Sequence, residues 1–489
     1  MRSWRRAIVA AGLFCCVACR DEPEVAAVAE PMPRRVVMIS IDTLRADHLG
    51  TYGYPKETSP VLDALASEKG VVFEETFSQA IWTLPSHMSL LTGLYPDTHG
   101  VVHADQRLAP DVDTLAEVLQ EQGLATAAFT DNGFMAGSFG FSDGFEVYDD
   151  EVELSNPEAP RGLERSIPRI EDWLDCQLDS DFFLFVHTFD VHGPYESPLE
   201  IEESFRSEAT ETEWGPEKAY LDSLEKLEYL HLDDYRSLED LIAAYDAGIR
   251  HTDSMLGRFF QALRDRDLFE DSLIVITSDH GESFLDEGVT IGHGTFLSQA
   301  ELHVPLIMKF PRSRFARQRI EEVVESIDVM PTILETLGTP ESSWPTLQGQ
   351  SLRPLLHGAR QSWDSLAFAT HAYSQTWAQR TPDWLYVSPI QPWIVDGYLI
   401  NYLEAQDPGA VIERLPRGDQ LYPAGQLTFE NQAPEHPALV GAFQKQIMRW
   451  KRAELRLRQK VAKAEQRQGY HEWEVDYLRR LGYLAPSKD

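Results

Sequence analysis

Three apolar runs that each lead into an acidic residue constrain the fold of this chain more than any other feature. The runs and the acidic residues near their ends are 36–41 with Asp42, 182–189 with Asp190, and 272–277 with Asp279. Uninterrupted runs rich in β-branched residues are typical of strands buried on both faces of a parallel sheet. Runs with helical spacing lie between them. The alternation predicts an α/β fold with a mostly parallel central sheet flanked by helices.

The pattern changes in the last quarter of the chain. Short strand-like runs, such as 384–387 and 393–402, are followed by a charged helical stretch over 437–468. We therefore predict a main domain over residues 34–360 and a smaller C-terminal α+β subdomain over 361–489. Within the main domain, residues 196–234 are acidic and predicted to be an irregular insertion near the surface. A solvated loop and a segment that covers the substrate are the two interpretations.

The N-terminus has the pattern of an export signal. Arg2, Arg5 and Arg6 precede a short apolar run over residues 7–18, which ends at Cys19. The run is too short to span a bilayer comfortably, and its last residues resemble a bacterial lipobox. We predict a signal peptide over residues 1–19 with a lipid anchor on Cys19, followed by a linker over 20–33. An ordinary cleaved signal is the alternative. Either way the protein is expected to be exported, and with the anchor it is expected at a membrane of the periplasm or cell envelope.

Charge and cysteine content exclude two further possibilities. The formal net charge of -36 makes nucleic acid an unsuitable partner, because phosphate backbones require clustered Lys and Arg. Outside the predicted signal, Cys176 is the one cysteine of the sequence. An intramolecular disulfide is therefore excluded in the mature chain.

A hydroxyl group stands at the predicted start of a helix in the segment Thr83-Leu84-Pro85-Ser86. Proline is favoured in the first helical turn, and Gly93 follows where the helix should end. Free backbone N–H groups and the positive end of the helix dipole favour an anion at such a position. With a metal ion to lower the pKa of its hydroxyl, Thr83 could attack a sulfate or phosphate ester. The alternative is a helix cap without catalytic function.

The strand ends supply the metal ligands that this chemistry needs. Asp42, Asp279 and His280 are predicted to bind one divalent cation, with the Thr83 hydroxyl as a further ligand. Carboxylates suit hard ions, whereas an imidazole shifts the preference toward Mn or Zn. His192 and His293, each beside glycine in a loop, could contact the ester or protonate its leaving group. Structural histidines are the alternative.

Five segments in this order resemble the sulfatase family of the alkaline phosphatase-like superfamily, from about residue 36 to the C-terminus. The segments are ISIDTLRADHLGTYGY (39–54), TLPSHMSLLTGLYP (83–96), FVHTFDVHGPYESP (185–198), ITSDHGE (276–282) and GHGTFLSQAELHVPLIMKFP (292–311). The closing YLRRLGYL is also typical of the family. No segment is decisive alone, but their joint order is specific.

The resemblance implies a role for each matching position. It implies metal binding by Asp42, Asp279 and His280, most often of calcium. It makes Thr83 the nucleophile, with Ser86 and His87 of the same signature near the substrate. His192 and His293 would contact the sulfuryl or phosphoryl group or the leaving oxygen. The implied substrate is a small-molecule, glycan or lipid sulfate or phosphate ester.

Departures from the family pattern concentrate at the reacting group. Sulfatases convert a Cys or Ser at the nucleophile position to formylglycine, but Thr83 already carries a methyl group on Cβ, so that aldehyde is not expected. His87 stands where the family has Arg, and His280 where many calcium sulfatases have Asn. A Thr nucleophile is more similar to the phosphotransferases and phosphodiesterases of the superfamily. Three functions therefore stay open: a sulfate ester hydrolase, a Thr-dependent phosphodiesterase, phosphonate hydrolase or phosphotransferase, and a catalytically inactive binding protein.

Overall fold

A computed structural model describes residues 35–131, 133–150, 161–208, 213–286, 288, 290–390, 418–424, 430–461 and 465–466. The predicted signal and linker lie outside these residues. The strands are β1 (Arg35–Ile41), β2 (Val71–Phe77), β3 (Gln106–Arg107), β4 (Ala125–Phe129), β5 (Val147–Asp149), β6 (Phe182–Thr188), β7 (Ser272–Thr277), β8 (Ser283–Phe284), β9 (Ile291–Gly292), β10 (His303–Lys309), β11 (Gln318–Glu325), β12 (Ala367–His371), β13 (Thr376–Arg380), β14 (Trp384–Val387), β15 (Gln420–Pro423) and β16 (Glu465–Gln466).

Helices of very different length connect these strands. The α-helices are α1 (Pro60–Glu68), α2 (Thr83–Thr92), α3 (Pro96–His99), α4 (Leu115–Glu121), α5 (Gly162–Asp175), α6 (Leu199–Glu208), α7 (Glu217–Leu221), α8 (Leu238–Asp265), α9 (Gln299–Leu302), α10 (Val329–Thr336), α11 (Arg353–Leu356) and α12 (Pro437–Arg458). None of the helices in the described part of the chain is both long and apolar enough to cross a membrane.

The central sheet has eight strands in the order β11-β2-β10-β7-β1-β6-β4-β5. Strand β1 pairs in parallel with β6 and with β7, and β10 is antiparallel to both of its neighbours. The predicted α/β fold with a mostly parallel sheet is therefore confirmed.

Both faces of the sheet are buried, which explains the uninterrupted apolar runs. On β1, Val37, Ile39 and Ile41 belong to one core cluster, whereas Val36 and Met38 belong to the cluster on the opposite face. Because successive strand residues point to opposite faces, a strand covered on both sides needs apolar residues at every position.

Two helix starts have a local cause. Helix α4 begins at Leu115, because Thr114 caps it and forms a reciprocal capping box with Glu117. The helix that carries the nucleophile segment begins at Thr83, two residues before Pro85. Proline is tolerated there because N–H groups of the first turn have no partner within the helix.

The prediction that residues 196–234 are irregular is wrong. The segment forms helices α6 and α7 and the 3-10 helices Glu225–Leu230 and Leu232–Asp234. Leu221, Leu224 and Leu230 are buried. These buried leucines attach the segment to the core. They are difficult to recognise in the sequence because acidic residues surround them.

In its described residues, the predicted C-terminal α+β region contains an antiparallel sheet and the long helix α12. The sheet order is β12-β13-β14-β15, and α12 packs against it. The charged helix, predicted to reach residue 468, ends at Arg458. The strand predicted over 393–402 lies outside the described residues. The domain boundary at 360/361 stays a prediction.

Candidate active site

The carboxyl ends of β1, β6 and β7 bring the candidate residues to one edge of the sheet. Because these strands are parallel neighbours, Asp42 after β1 and Asp279 after β7 leave the sheet side by side. Thr43 follows Asp42 with a φ of 57°, a left-handed conformation that is rare for a β-branched residue. Its backbone N–H lies 3.4 Å from Asp279 Oδ1, and its carbonyl accepts a 2.8 Å hydrogen bond from the Tyr245 hydroxyl. The strained turn therefore aims both carboxylates at one point.

Asp42, Asp279 and His280 form a buried cluster with the spacing of metal ligands. Each offers one ligand atom, and these atoms lie within 4.8 Å of one another. His280 Nδ1 is 2.9 Å from the Gly281 carbonyl, which can only accept, so this nitrogen carries the proton in the neutral ring. Its Nε2 then directs a lone pair toward Asp279 Oδ2 at 3.3 Å and Asp42 Oδ1 at 3.8 Å. Three electron-pair donors that converge in this way fit a cation between them.

The protonation behaviour of the two carboxyl groups also fits a cation. Burial and then the charge of Asp42 raise the pKa of Asp279 well above its usual range. Burial alone would raise the pKa of Asp42, but the hydrogen bond from His187 and the nearby His192 and His280 lower it below its usual range. Two buried carboxylates whose oxygens lie within 4.8 Å of each other are difficult to ionise together without a positive charge between them.

Thr83 lies at the N-terminus of α2 with its hydroxyl toward the cluster. Its Oγ1 is 3.4 Å from Asp42 Oδ2, and the residue is 1% exposed. At the other end, Gly93 ends the helix with a φ of 65°, a conformation that favours glycine. The predicted helix start therefore brings the hydroxyl to the predicted metal ligands.

His192 and His293 lie beside this cluster. Their ring centroids are 4.9 Å apart, and the His293 ring is 4.4 Å from that of His280. His192 Nδ1 lies 2.5 Å from the Gly193 carbonyl and therefore carries the proton in the neutral ring. Burial, and to a lesser extent the neighbouring His293, lowers the pKa of His192 to about 4, while the charge of Asp42 opposes this shift. Its Nε2 is consequently a proton acceptor near neutral pH.

Ser86 and His87 contact protein groups. The Ser86 hydroxyl donates to the carbonyl oxygens of Ala80 and Trp82, at 3.1 and 2.9 Å. His87 is completely buried. Its Nδ1 lies 3.0 Å from the Thr83 carbonyl and 3.4 Å from Asp279 Oδ2, and its Nε2 lies 2.9 Å from the hydroxyl of Ser40 on β1. These contacts attach α2 to the metal-ligand cluster, and the predicted contact of both residues with substrate stays a prediction.

Two residues of the site were absent from the predicted set. His187 Nε2 lies 3.2 Å from Asp42 Oδ2, and Glu282 Oε1 lies 3.0 Å from His293 Nδ1. The available signal for His187 was a histidine inside the apolar strand β6, where an unpaired imidazole is costly to bury. Glu282 follows His280 by two residues, but its partner His293 can be recognised only in the folded chain.

The acidic segment 196–234 also reaches this edge of the sheet. The Tyr229 ring centroid lies 6.2 Å from that of His192. A Cβ on Gly193 would come within 2.5 Å of the Leu230 side chain. The segment thus packs on the loop that carries His192.

The fold and the ligand cluster define a class: an α/β protein of alkaline phosphatase-like architecture with a candidate metal site at the carboxyl edge of its sheet. The sequence profile of the Sulfatase family matches residues 34–339, well over half of the chain. The chain belongs to the sulfatase family and is an ester hydrolase of that family.

Known relatives cover both sulfate and phosphorus chemistry. The chain is 24% identical to arylsulfatase K of Canis lupus familiaris over 377 residues, which are 66% of this chain and 69% of that protein. It is 28% identical over 420 residues to the multifunctional alkaline phosphatase superfamily protein PehA of Trinickia caryophylli, covering 68% and 78% of the two chains. The solved phosphonate monoester hydrolase of Agrobacterium radiobacter has a similar fold, with a TM-score of 0.65 at 21% identity and 86% and 96% coverage.

Proposed function

We propose that this protein is a metal-dependent hydrolase of sulfate esters, or of chemically similar esters, with Thr83 as its nucleophile. The observation that carries the proposal is the 3.4 Å approach of Thr83 Oγ1 to Asp42 Oδ2, beside the cluster of metal-type ligands. The N-cap of α2 is Trp82, so the Thr83 side chain does not serve as the helix cap and its hydroxyl is directed at Asp42 instead.

One divalent ion, held by Asp42, Asp279 and His280 with the Thr83 hydroxyl as a further ligand, would lower the pKa of that hydroxyl and offset charge on the ester oxygens. Calcium is the ion that the family favours. The imidazole of His280 also suits Mn or Zn. No conversion of Thr83 to formylglycine is part of the proposal.

The protein groups would act in two steps. In the first step, Thr83 Oγ1 bonds to the sulfur or phosphorus atom, its proton passes to Asp42 Oδ2, and the bond to the leaving oxygen breaks. His293, whose Nδ1 is held by Glu282, would protonate that oxygen from Nε2, while His192 contacts the transferred group. In the second step, water attacks the same atom and gives its proton to His293 Nε2, the bond to Oγ1 breaks, and the proton held on Asp42 returns to Oγ1 to restore the Thr83 hydroxyl.

A phosphonate monoester or a phosphodiester is the second candidate substrate, with phosphotransfer as a related reaction. The observation that favours it is the residue itself, because a threonine hydroxyl acts by direct attack and not through an aldehyde. The similarity to PehA and to the fold of a phosphonate monoester hydrolase is consistent with this chemistry. In either case we propose an exported enzyme, with residues 1–19 as its signal and a lipid on Cys19 as its anchor.

The test is a panel of aryl sulfate, phosphate monoester, phosphodiester and phosphonate monoester substrates, assayed with wild type, Thr83→Ala and Thr83→Ser. We expect Thr83→Ala to lower kcat/KM at least about 1000-fold on the best substrate, and Thr83→Ser to retain much of the activity because it keeps a hydroxyl. Turnover unaffected by Thr83→Ala would exclude the nucleophile. A metal-loaded wild type that cleaves none of the four classes would overturn the hydrolase and favour the binding protein.

A further inference from the structure

Helix α12 carries a row of cationic side chains on its outer surface. The row, here called the basic face, consists of Lys445, Arg449, Arg452 and Arg456, all exposed. Spacings of four, three and four residues align the four side chains along one side of a helix. The basic face is thus one continuous strip about three turns long.

The apolar side of α12 packs against the protein, and this packing determines where the basic face points. Val440, Phe443 and Ile447 are buried against the C-terminal sheet, and Phe443 stacks on Tyr386 with 5.3 Å between ring centroids. Because these residues lie on the other side of the helix, the basic face points away from the protein. Its orientation is therefore a property of the packed helix and not of mobile side chains.

Two large apolar side chains border the basic face. Met448 is 51% exposed and Leu455 is 57% exposed, and the spacing of seven residues places them on the same side of α12. They are among five large hydrophobic residues classed as exposed in the described part of the chain. A strip that combines unpaired cations with exposed apolar groups differs from an ordinary solvated helix face.

The charge of this segment is opposite to that of the whole protein. Residues 437–461 contain seven Lys or Arg and one acidic residue, Glu454, which is buried, in a chain of net charge -36. Among the described residues, none of the four cations of the basic face forms an ion pair. The acidic protein therefore leaves this strip without counter-charges.

We propose that the basic face and its two apolar neighbours form a membrane-binding surface that docks α12 onto an anionic lipid bilayer. Lipid phosphates would form ion pairs with the four cationic side chains, and Met448 and Leu455 would enter the boundary between headgroups and acyl chains. A soluble polyanion or the acidic surface of a second copy would use the cations but would leave the two apolar side chains in water. The surface would also orient the active site relative to the membrane.

The test measures cosedimentation of the full chain with vesicles of phosphatidylcholine alone and of phosphatidylcholine mixed with phosphatidylglycerol. Binding to the neutral vesicles gives the apolar contribution of the N-terminal run, and Arg2, Arg5 and Arg6 before it are the same in wild type and in every variant, so comparing the variants removes their effect. We expect wild type to bind the anionic vesicles at least about tenfold more strongly, and the variant K445Q/R449Q/R452Q/R456Q to lose that difference. The variant M448Q/L455Q should weaken binding to anionic vesicles while keeping its dependence on salt.

A matched control removes the same charge elsewhere. The variant R258Q/R312Q/R317Q/R360Q replaces four other exposed arginines and should bind as wild type does. Circular dichroism would verify that each variant is folded. The proposal would be overturned if the control variant lost as much binding to anionic vesicles as the basic-face variant does. It would also be overturned if wild type showed no preference for anionic vesicles. A third contrary result would be that the protein does not bind vesicles, but uses the basic face to form a dimer without lipid or to bind heparin.

Discussion

At the scale of single residues, Asp42 is the point where the contacts of the site meet. Its Oδ2 lies near Thr83 Oγ1 and His187 Nε2, while its Oδ1 faces His280. One oxygen thus contacts the hydroxyl of the proposed nucleophile and the other is directed at the proposed metal position. This division explains why a single carboxylate can serve both the hydroxyl and the cation.

Asp279→Asn should remove most of the bound metal. We expect wild type to hold about one divalent ion per chain, and the variant to lose at least about tenfold in affinity, because a neutral amide replaces a carboxylate ligand. Metal analysis by mass spectrometry, with a chelator titration, measures both. Asp253→Asn is the matched control, since Asp253 is a buried acid that binds the backbone of Val61 and Leu62. Equal metal content in all three proteins would contradict the assignment.

Glu282→Ala should lower kcat/KM by about 10- to 100-fold, the usual effect of losing a residue that orients a catalytic or metal-binding group. The reason is that His293 loses the acceptor that holds its Nδ1. Glu282→Gln keeps an acceptor oxygen and should retain more activity. Steady-state kinetics on both variants, with metal content measured alongside, tests the role. Full activity of Glu282→Ala would exclude a role of Glu282 in orienting His293.

At the scale of elements, α12 is attached to the rest of the chain through a buried acid. Glu454 accepts a 2.8 Å hydrogen bond from Thr98 on α3 and another from Gln348. Burial raises the pKa of Glu454 to about 7. In the folded protein this group therefore keeps its proton at pH values where the unfolded chain has lost it.

Stability should consequently fall as the pH rises toward and beyond 7. A carboxyl group with a raised pKa in the folded state stabilises most below its unfolded pKa, and the benefit is lost as the pH rises through the folded value. Between pH 5.5 and 8, Glu454 alone should reduce the free energy of unfolding by roughly 2 kcal/mol. Urea unfolding at both pH values measures the change. Glu454→Gln should show a smaller difference than wild type, and an equal or larger difference would contradict this account.

At the scale of the whole molecule, the central eight-stranded sheet and the C-terminal four-stranded sheet share one core region. Phe77 of β2 and Val323 of β11 are packed with Ala369, Leu385 and other residues of the C-terminal sheet. Arg380 of β13 forms a 2.6 Å ion pair with Glu75 of β2. The described residues, from Arg35 onward, accordingly belong to one compact unit.

Leu385→Ala should therefore destabilise the whole unit and not the C-terminal sheet alone. Removing a fully packed leucine costs about 2–5 kcal/mol. Urea unfolding followed by near-ultraviolet and far-ultraviolet circular dichroism should show coincident transitions shifted to lower urea. A separate early transition in the variant, with the main transition unchanged, would indicate that the C-terminal subdomain unfolds independently.

Features set by local sequence were predictable. The strands that end at Asp42 and Asp279 were found because a strand buried on both faces needs an unbroken apolar run. Their meeting followed from the rule that parallel strands share a carboxyl edge. Thr83 was found because Pro85 and Gly93 mark the two ends of a short helix.

Features that depend on tertiary contacts were not predictable. Helices in residues 196–234 were missed because their buried leucines lie among acids, where local composition favours a loop. His187 and Glu282 were missed because their importance comes from partners 145 and 11 residues away in the chain. The contact of His87 with Ser40 likewise depends on how α2 packs against β1.

Trapping the covalent intermediate would test the role of Thr83 as the nucleophile. Metal-loaded enzyme would be mixed with its best substrate from the panel, quenched in acid during turnover, digested, and analysed by fragmentation mass spectrometry. We expect a peptide that carries one sulfuryl or phosphoryl group on Thr83, distinguished from Ser86 and Ser89 by its fragments, and unmodified Thr83 before substrate is added. A group on another residue, or a formyl side chain at position 83 in the resting enzyme, would contradict this role of Thr83.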